Sequence, residues 1–349
     1  MAVGKYPNLT RSKVNRAGKA VRRATANDDD IEIIKSWRAS HSHIINTFQA
    51  NLRRRTRDTN IIVGQRLKRL PTIMDKLRRE PTMSLPKMHD IAGCRVIFPN
   101  NDRLREFREN FIKSRANHKR ITAEYDQFNY LNKPKGTGYR GVHDVYSYIA
   151  DAESATPWNG LLIEIQYRTK AQHAWATAVE TADLLTKSRG KFSEANTNYM
   201  TFFQVCSEII SRTHEDSKSC LYNVADKSLI EMYDNSLSQN NIMRILKTTN
   251  EVGKKQISGI VKPGRNTILV YMHNADEDGI ILKYSTLTTT RAALARYEQL
   301  EKKYENVADV VLVRSEDTKS LRAVFQNYFA DTREFVKLVE SGAAKLRSN

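Results

Sequence analysis

The chain has 349 residues, with 57 Lys and Arg against 39 Asp and Glu and a formal net charge of +18. That length predicts about two domains, and the positive balance favours anionic partners such as nucleotides, nucleic acid or a ribosome-like surface. Cys94, Cys206 and Cys220 form no CxxC pair, which argues against a zinc knuckle or a disulfide framework and for a cytoplasmic protein; no apolar h-region opens the chain and no run approaches the ~20 residues that span a bilayer, so no membrane partner is expected.

Residues 1–60 hold 13 Lys/Arg against 5 Asp/Glu, and residues 1–29 are taken as a basic, poorly patterned arm. The Asp28-Asp29-Asp30 run marks a helix start, because acidic groups suit the positive end of a helix dipole. Ile34, Trp37, His41, Ile44, Ile45, Phe48 and Leu52 then recur at helical spacing to about Arg57. His41 lies on the apolar side and is expected to be packed rather than a ligand. Residues 61–80 carry Arg66, Lys68, Arg69, Lys76, Arg78 and Arg79. Such a run is commonly a solvated basic helix face; the alternative is a cationic wall for polyphosphate.

Residues 89–98, HDIAGCRVIF, predict a central strand with Asp90 at its start and Arg95 within it. Asp90 is either a turn residue or a metal ligand. A helix follows over 102–114, and a strand is expected over 121–128. The loop Lys133–Gly138 leads into Tyr139, Arg140 and His143. Glycines there allow backbone to approach phosphate and lysines supply charge, although a KxKGxG loop alone is a weak signal. In the next strand Glu164, Gln166 and Arg168 alternate with Ile163 and Ile165, so the three polar groups share one face. Polar groups gathered in this way beside a basic loop point to a phosphorylated ligand. Helices are expected over 170–187 and around Phe202–Ile210.

From about residue 222 the composition changes. Strands are predicted over 267–272, 279–284 and 308–313, with helices over 290–304 and 319–339. This is a small α+β pattern. The Asp276-Glu277-Asp278 turn lacks calcium-loop spacing.

Four separated segments, RLKRLPTIMDKL, HDIAGCRVIF, PKGTGYRGVH and IEIQYRTKAQHAWA, together resemble the RelA/SpoT synthetase domain, in that family's order and over roughly residues 30–215. The resemblance implies an α+β fold, a mixed sheet flanked by helices, for a synthetase domain at 30–222; the sequence pattern adds a basic arm at 1–29 and a small C-terminal α+β domain at 223–349, for which a regulatory role is open. It implies transfer of the β,γ-pyrophosphate of ATP to the 3′-hydroxyl of GDP or GTP, with AMP released and Mg²⁺ as cofactor. By position, Arg66 and Arg95 match the arginines that sandwich the ATP adenine, and Lys68 and Lys76 match lysines on its phosphates. Asp90 and Glu164 match the metal carboxylates, with Glu164 also activating the acceptor hydroxyl. Tyr139 matches the tyrosine that stacks on the acceptor base. Lys135, Arg140, His143, Gln166 and Arg168 match positions lining the acceptor and phosphate site. The chain holds no GxxxxGK[ST] loop, so a P-loop kinase is not supported.

Departures cluster beside the acceptor. Phe128 and Asn129 replace a charged pair, Thr137 replaces an Asn, and Gly141 replaces a Ser. They leave open a toxic relative that pyrophosphorylates the tRNA 3′ end, or an adenosine-nucleotide acceptor, with the C-terminal domain as a neutralising or sensing module. A catalytically dead, basic RNA-binding protein is the reading from another class, and the two carboxylates speak against it. The hydrolase domain of long family members is not expected. A homo-oligomer is compatible with the family.

Overall fold

The computed structural model describes residues 9–114, 118–121, 127–188, 196–247, 266–274, 279–304, 308–314 and 332–348. The N-terminal segment is not an unpatterned arm. It forms helix α1, Arg11–Arg22, capped by the Thr10 hydroxyl, which accepts from the Lys13 amide. Val14, Ala17, Gly18 and Val21 follow helical spacing and are buried. Gly18 has a packing reason: a Cβ there would meet the Leu85 Cβ at 2.9 Å. Helix α2, Asp28–Thr56, starts as expected, with Asn27 and Asp30 closing a capping box. Its apolar side, Ile34, Trp37, Ile44, Ile45, Phe48 and Leu52, enters the main core. His41 is buried there, bonded to the Trp37 carbonyl, and burial pushes its pKa down to about 4.

The basic run at 61–80 is two elements rather than one helix. Strand β1 is Ile62–Leu67 and helix α3 is Leu70–Arg79. Pro71 lies in the first turn of α3, where its missing N–H costs nothing, and it prevents the helix from extending backward. Strand β2, Ala92–Phe98, and helix α4, Asn101–Ile112, follow. Strand β3 is Lys119–Arg120; most of the strand predicted over 121–128 lies outside the described residues. Strands β4, Val142–Ser147, and β5, Leu162–Thr169, complete a five-stranded sheet of order β1-β2-β5-β4-β3. The sheet is mixed, because β2 and β5 run parallel while the other pairs are antiparallel. One face, with Ile163, Ile165 and Tyr167, is sealed against α2 and α4. The other face carries the polar residues of β5.

Helices α5, Lys170–Ser188, α6, Asn196–His214, α7, Asp226–Gln239, and α8, residues 242–247, build a second core. Helix α10, Arg333–Ser348, belongs to it as well, through Phe335, Val339 and Ala343. This core therefore draws on both sides of the compositional break near 222. Strands β6, Asn266–Asn274, β7, Gly279–Leu287, and β8, Ala308–Arg314, make a separate antiparallel sheet of order β7-β6-β8, covered by helix α9, Thr290–Lys303. The HNADED turn falls mostly outside the described residues, as does the start of the helix expected over 319–339. Arg38 of α2 ties this sheet to the first: its guanidinium pairs with both Glu301 carboxylate oxygens at 2.8 and 3.2 Å, and its Nε donates to the Lys68 carbonyl at 2.7 Å. No described helix is long and apolar enough to cross a membrane.

Candidate active site

The site lies on the sheet face that α2 and α4 leave uncovered. In β5, Glu164, Gln166 and Arg168 occupy alternate positions, as the alternation predicts. Neighbouring strands put Arg95 beside Gln166, His143 opposite Gln166, and Gly93 beside Glu164. Residues opposite one another across a sheet share a face.

Glu164 is buried, with both oxygens engaged. His143 Nδ1 donates to Oε1 at 3.0 Å and the Gln166 amide donates to Oε2 at 2.7 Å. His89 Nε2 lies 3.8 Å from Oε1. Burial alone would raise this carboxyl's pKa; the charge and hydrogen bond of His143 outweigh it and hold the group well below the usual carboxylate range. A carboxylate can only accept, so Nδ1 of His143 carries a proton. Its Nε2 is 2.5 Å from the Tyr139 hydroxyl, which also accepts from Arg168 Nε and Nη2 at 3.2 and 3.0 Å. Burial opposes charge on both rings, yet each stabilises it on the other: Tyr139 is shifted down, chiefly by Arg168, and His143 is shifted up, chiefly by Tyr139 and Glu164.

A second cluster stands at the start of β2. Asp90 Oδ2 accepts from Lys68 Nζ at 2.9 Å and Lys76 Nζ at 3.1 Å. Burial would raise the Asp90 pKa, but Lys68 and then Lys76 bring it below the ordinary value. Burial likewise lowers Lys68, and Asp90 only partly offsets it. The other oxygen, Asp90 Oδ1, is buried without a hydrogen-bond partner. A buried bare carboxylate oxygen near a second carboxylate suits a hard cation, which takes oxygen ligands and needs only one or two carboxylates beside substrate oxygens. Asp90 and Glu164 thus fit Mg²⁺; among the described residues there is no larger cluster of His, Cys, Asp and Glu that could hold a metal.

The structure gathers Lys68, Lys76 and Asp90 in one group and Tyr139, His143, Glu164, Gln166 and Arg168 in another, with Arg66 and Arg95 on the adjoining strands. Lys135 sits at the rim, its ammonium 4.5 Å from the Tyr130 ring centroid and 5.5 Å from that of Tyr139. Arg140 is apart from them: it is buried, ion-paired with Glu215 at 2.5 Å and bonded to Ser217. The glycines of the Lys133–Gly138 loop divide. Gly136 is open, but a Cβ on Gly138, at φ +90°, would lie 3.0–3.3 Å from Ser207, Trp175 and Gln204, so this glycine serves the fold rather than a phosphate. His89 and Tyr130 were not among the sequence candidates. Tyr130 meets the Tyr139 and His143 rings edge-on, and only its nearness in sequence to the basic loop could have marked it.

Residues 65–191 match the family described as the region found in RelA / SpoT proteins. The chain carries a RelA/SpoT region. Every candidate residue above lies inside it. The GTP pyrophosphokinase YjbM of Bacillus subtilis (strain 168) is 32% identical over 117 residues, which are 33% of this chain and 52% of that protein. The chain thus matches about half the length of this curated relative. Among solved structures, small alarmone synthetase 1 from Bacillus subtilis bound to its product pppGpp aligns at 25% identity and a TM-score of 0.39, covering 49% of this chain and 87% of that one. Small alarmone synthetase 2 from the same organism aligns at 17% identity and 0.34, covering 62% and 96%. The RelA/SpoT region ends before α6, so α7, α10 and the β6–β8 sheet lie outside it.

Proposed function

We propose that this chain is an ATP:nucleotide 3′-pyrophosphokinase that moves the β,γ-pyrophosphate of ATP to the 3′-hydroxyl of GDP or GTP and releases AMP. The observation that carries the reading is Glu164: a buried, ionised carboxylate held at both oxygens, beside a cluster of two lysines and a half-bare aspartate, within a RelA/SpoT region. The kinship to a GTP pyrophosphokinase supports the reaction class.

Pyrophosphoryl transfer asks the protein for positioning and charge neutralisation more than for covalent chemistry. Lys68 and Lys76 hold positive charge where a phosphate chain would displace their contact with Asp90. His143 and Gln166 fix the Glu164 carboxylate, so it can accept the hydrogen of a 3′-hydroxyl and aim the oxygen at phosphorus. A carboxylate with so low a pKa is a weak base, so its first task is orientation. Mg²⁺, held by Asp90 and Glu164 when bound, would supply neutralisation of the developing charge and acidify the hydroxyl. Tyr139 and Arg168 present a ring and a guanidinium toward the acceptor side.

The tRNA 3′ end is the second reading, and α1 favours it: Arg16, Lys19 and Arg23 are exposed and the helix has no acidic residue. Parallel incubation with GDP, GTP, AMP and deacylated tRNA, with γ-labelled ATP and Mg²⁺, tests both. Label in guanosine tetra- or pentaphosphate supports the first. Label only in tRNA overturns it for the second, and label in no acceptor overturns both.

A further inference from the structure

Gly93 sits in the middle of β2, paired with Arg66 of β1 on one side and with Glu164 of β5 on the other. Glycine weakens a strand interior, so its presence there asks for a reason. Three ordinary reasons fail. The pairing register runs unbroken through Gly93 on both sides, so it makes no bulge. Its φ is not positive, unlike those of Gly138, Gly141 and Gly160. No packed side chain claims its space either: an added Cβ would meet only two backbone oxygens, Arg66 O at 3.6 Å and Glu164 O at 3.9 Å, both ordinary contacts. Yet Ala92 and Cys94 on either side are buried, while Gly93 is half-open.

The opening above Gly93 has a distinct border. Arg66 and Glu164 flank it, Arg95 lies two residues along the same strand, and the Lys68–Asp90–Lys76 cluster stands three residues back. It therefore lies between the cationic cluster and the reacting carboxylate. A second glycine, Gly64, stands opposite Arg95, so each arginine of the β1–β2 pair faces a residue without a side chain. A polyanionic chain that passes from the lysines toward Glu164 has to cross this floor.

We propose that Gly93 is the floor on which the phosphate chain of the donor nucleoside triphosphate lies, and that its missing side chain serves donor binding rather than folding. The inference rests on the pyrophosphokinase reading and adds a specificity-determining residue to it. The test is Gly93→Ala, with Gly93→Val as the larger step, in the full chain. Thermal unfolding, ATP binding by calorimetry without acceptor, GDP binding, and turnover are measured for each beside the parent. The expected G93A protein unfolds at no lower temperature than the parent, binds GDP as the parent does, binds ATP more weakly, and turns over about a hundredfold more slowly, the loss that a displacement of about 1 Å brings; G93V loses ATP binding further. G93A that unfolds early overturns the inference, because the Cβ is predicted to fit. ATP binding and turnover equal to the parent's overturn it too, as does a loss confined to GDP. A parent that binds no ATP overturns the underlying reading as well, and that result is visible without any variant.

Discussion

Replacing Glu164 with Gln removes one charge and almost no volume. In the parent, Oε1 accepts from His143 and Oε2 accepts from the Gln166 amide, so both neighbours are donors. The amide of E164Q has one acceptor and one donor, and one of the two contacts becomes donor against donor. Gln166 cannot turn freely, because its own Oε1 faces Arg168 Nη2 at 3.4 Å. One buried contact is therefore left unmade, at a cost of about 1–3 kcal/mol. His143 also loses the anion that helps to raise its pKa, so the imidazole moves back toward its ordinary range. The fold should survive with a lower urea midpoint, while turnover falls by about 10²–10⁴, equal to about 3–5 kcal/mol of barrier. The assay is AMP release from ATP with GDP present, run beside urea unfolding of the same preparation. A folded E164Q protein with turnover within about threefold of the parent, a barrier change below about 1 kcal/mol, would refute the reasoning.

The other predictions concern the flanking groups. Asp90→Asn should abolish Mg²⁺-dependent AMP release while leaving Lys68 and Lys76 in place; release that persists with D90N, or in the parent after chelation, would show that the carboxylate is structural. Tyr139→Ala should raise the KM for the acceptor more than that for ATP, since the ring stands with His143 and Arg168 rather than with Lys68 and Lys76; equal shifts would contradict this placement. Arg38→Met leaves the largely covered Glu301 carboxylate with the Tyr297 hydroxyl but without its cation, and should cost about 3 kcal/mol in urea unfolding. The double change R38M with E301L should recover most of that loss, and a double variant no better than the single one argues against a buried pair. Asp90 and Glu164 both have folded pKa values below their unfolded ones, so their stabilisation is present above about pH 4 and is lost as pH falls through the folded values. Acid titration of stability should accordingly be shallower in D90N and E164Q than in the parent.

Local patterns carried the functional strand well. Period-two alternation in 162–169 placed Glu164, Gln166 and Arg168 on one face, and the 3.6-residue spacing of Ile34 to Leu52 marked α2. Charge hid two other elements. Helix α1 buries only Val14, Ala17, Gly18 and Val21 among its many cations, so its apolar stripe is narrow. The Lys/Arg run at 61–80 concealed the turn from β1 to α3 that Pro71 marks. What could not be read was non-local. Glu215, which engages Arg140, is 75 residues away, and the Arg38–Glu301 pair spans 263. Gly138 looked like part of a phosphate loop because nothing in sequence announces that Trp175 and Ser207 pack against it. The break near 222 likewise gave no sign that α10 returns to the α5–α6 core.

The central claim is that two phosphoryl groups move together from ATP. Purified protein given Mg²⁺, GDP and ATP labelled separately at the β- and γ-phosphates tests it most directly. The account predicts that both labels reach the acceptor in equal amounts and that AMP appears in the same quantity. Transfer of the γ label alone, with ADP as the by-product, would contradict it.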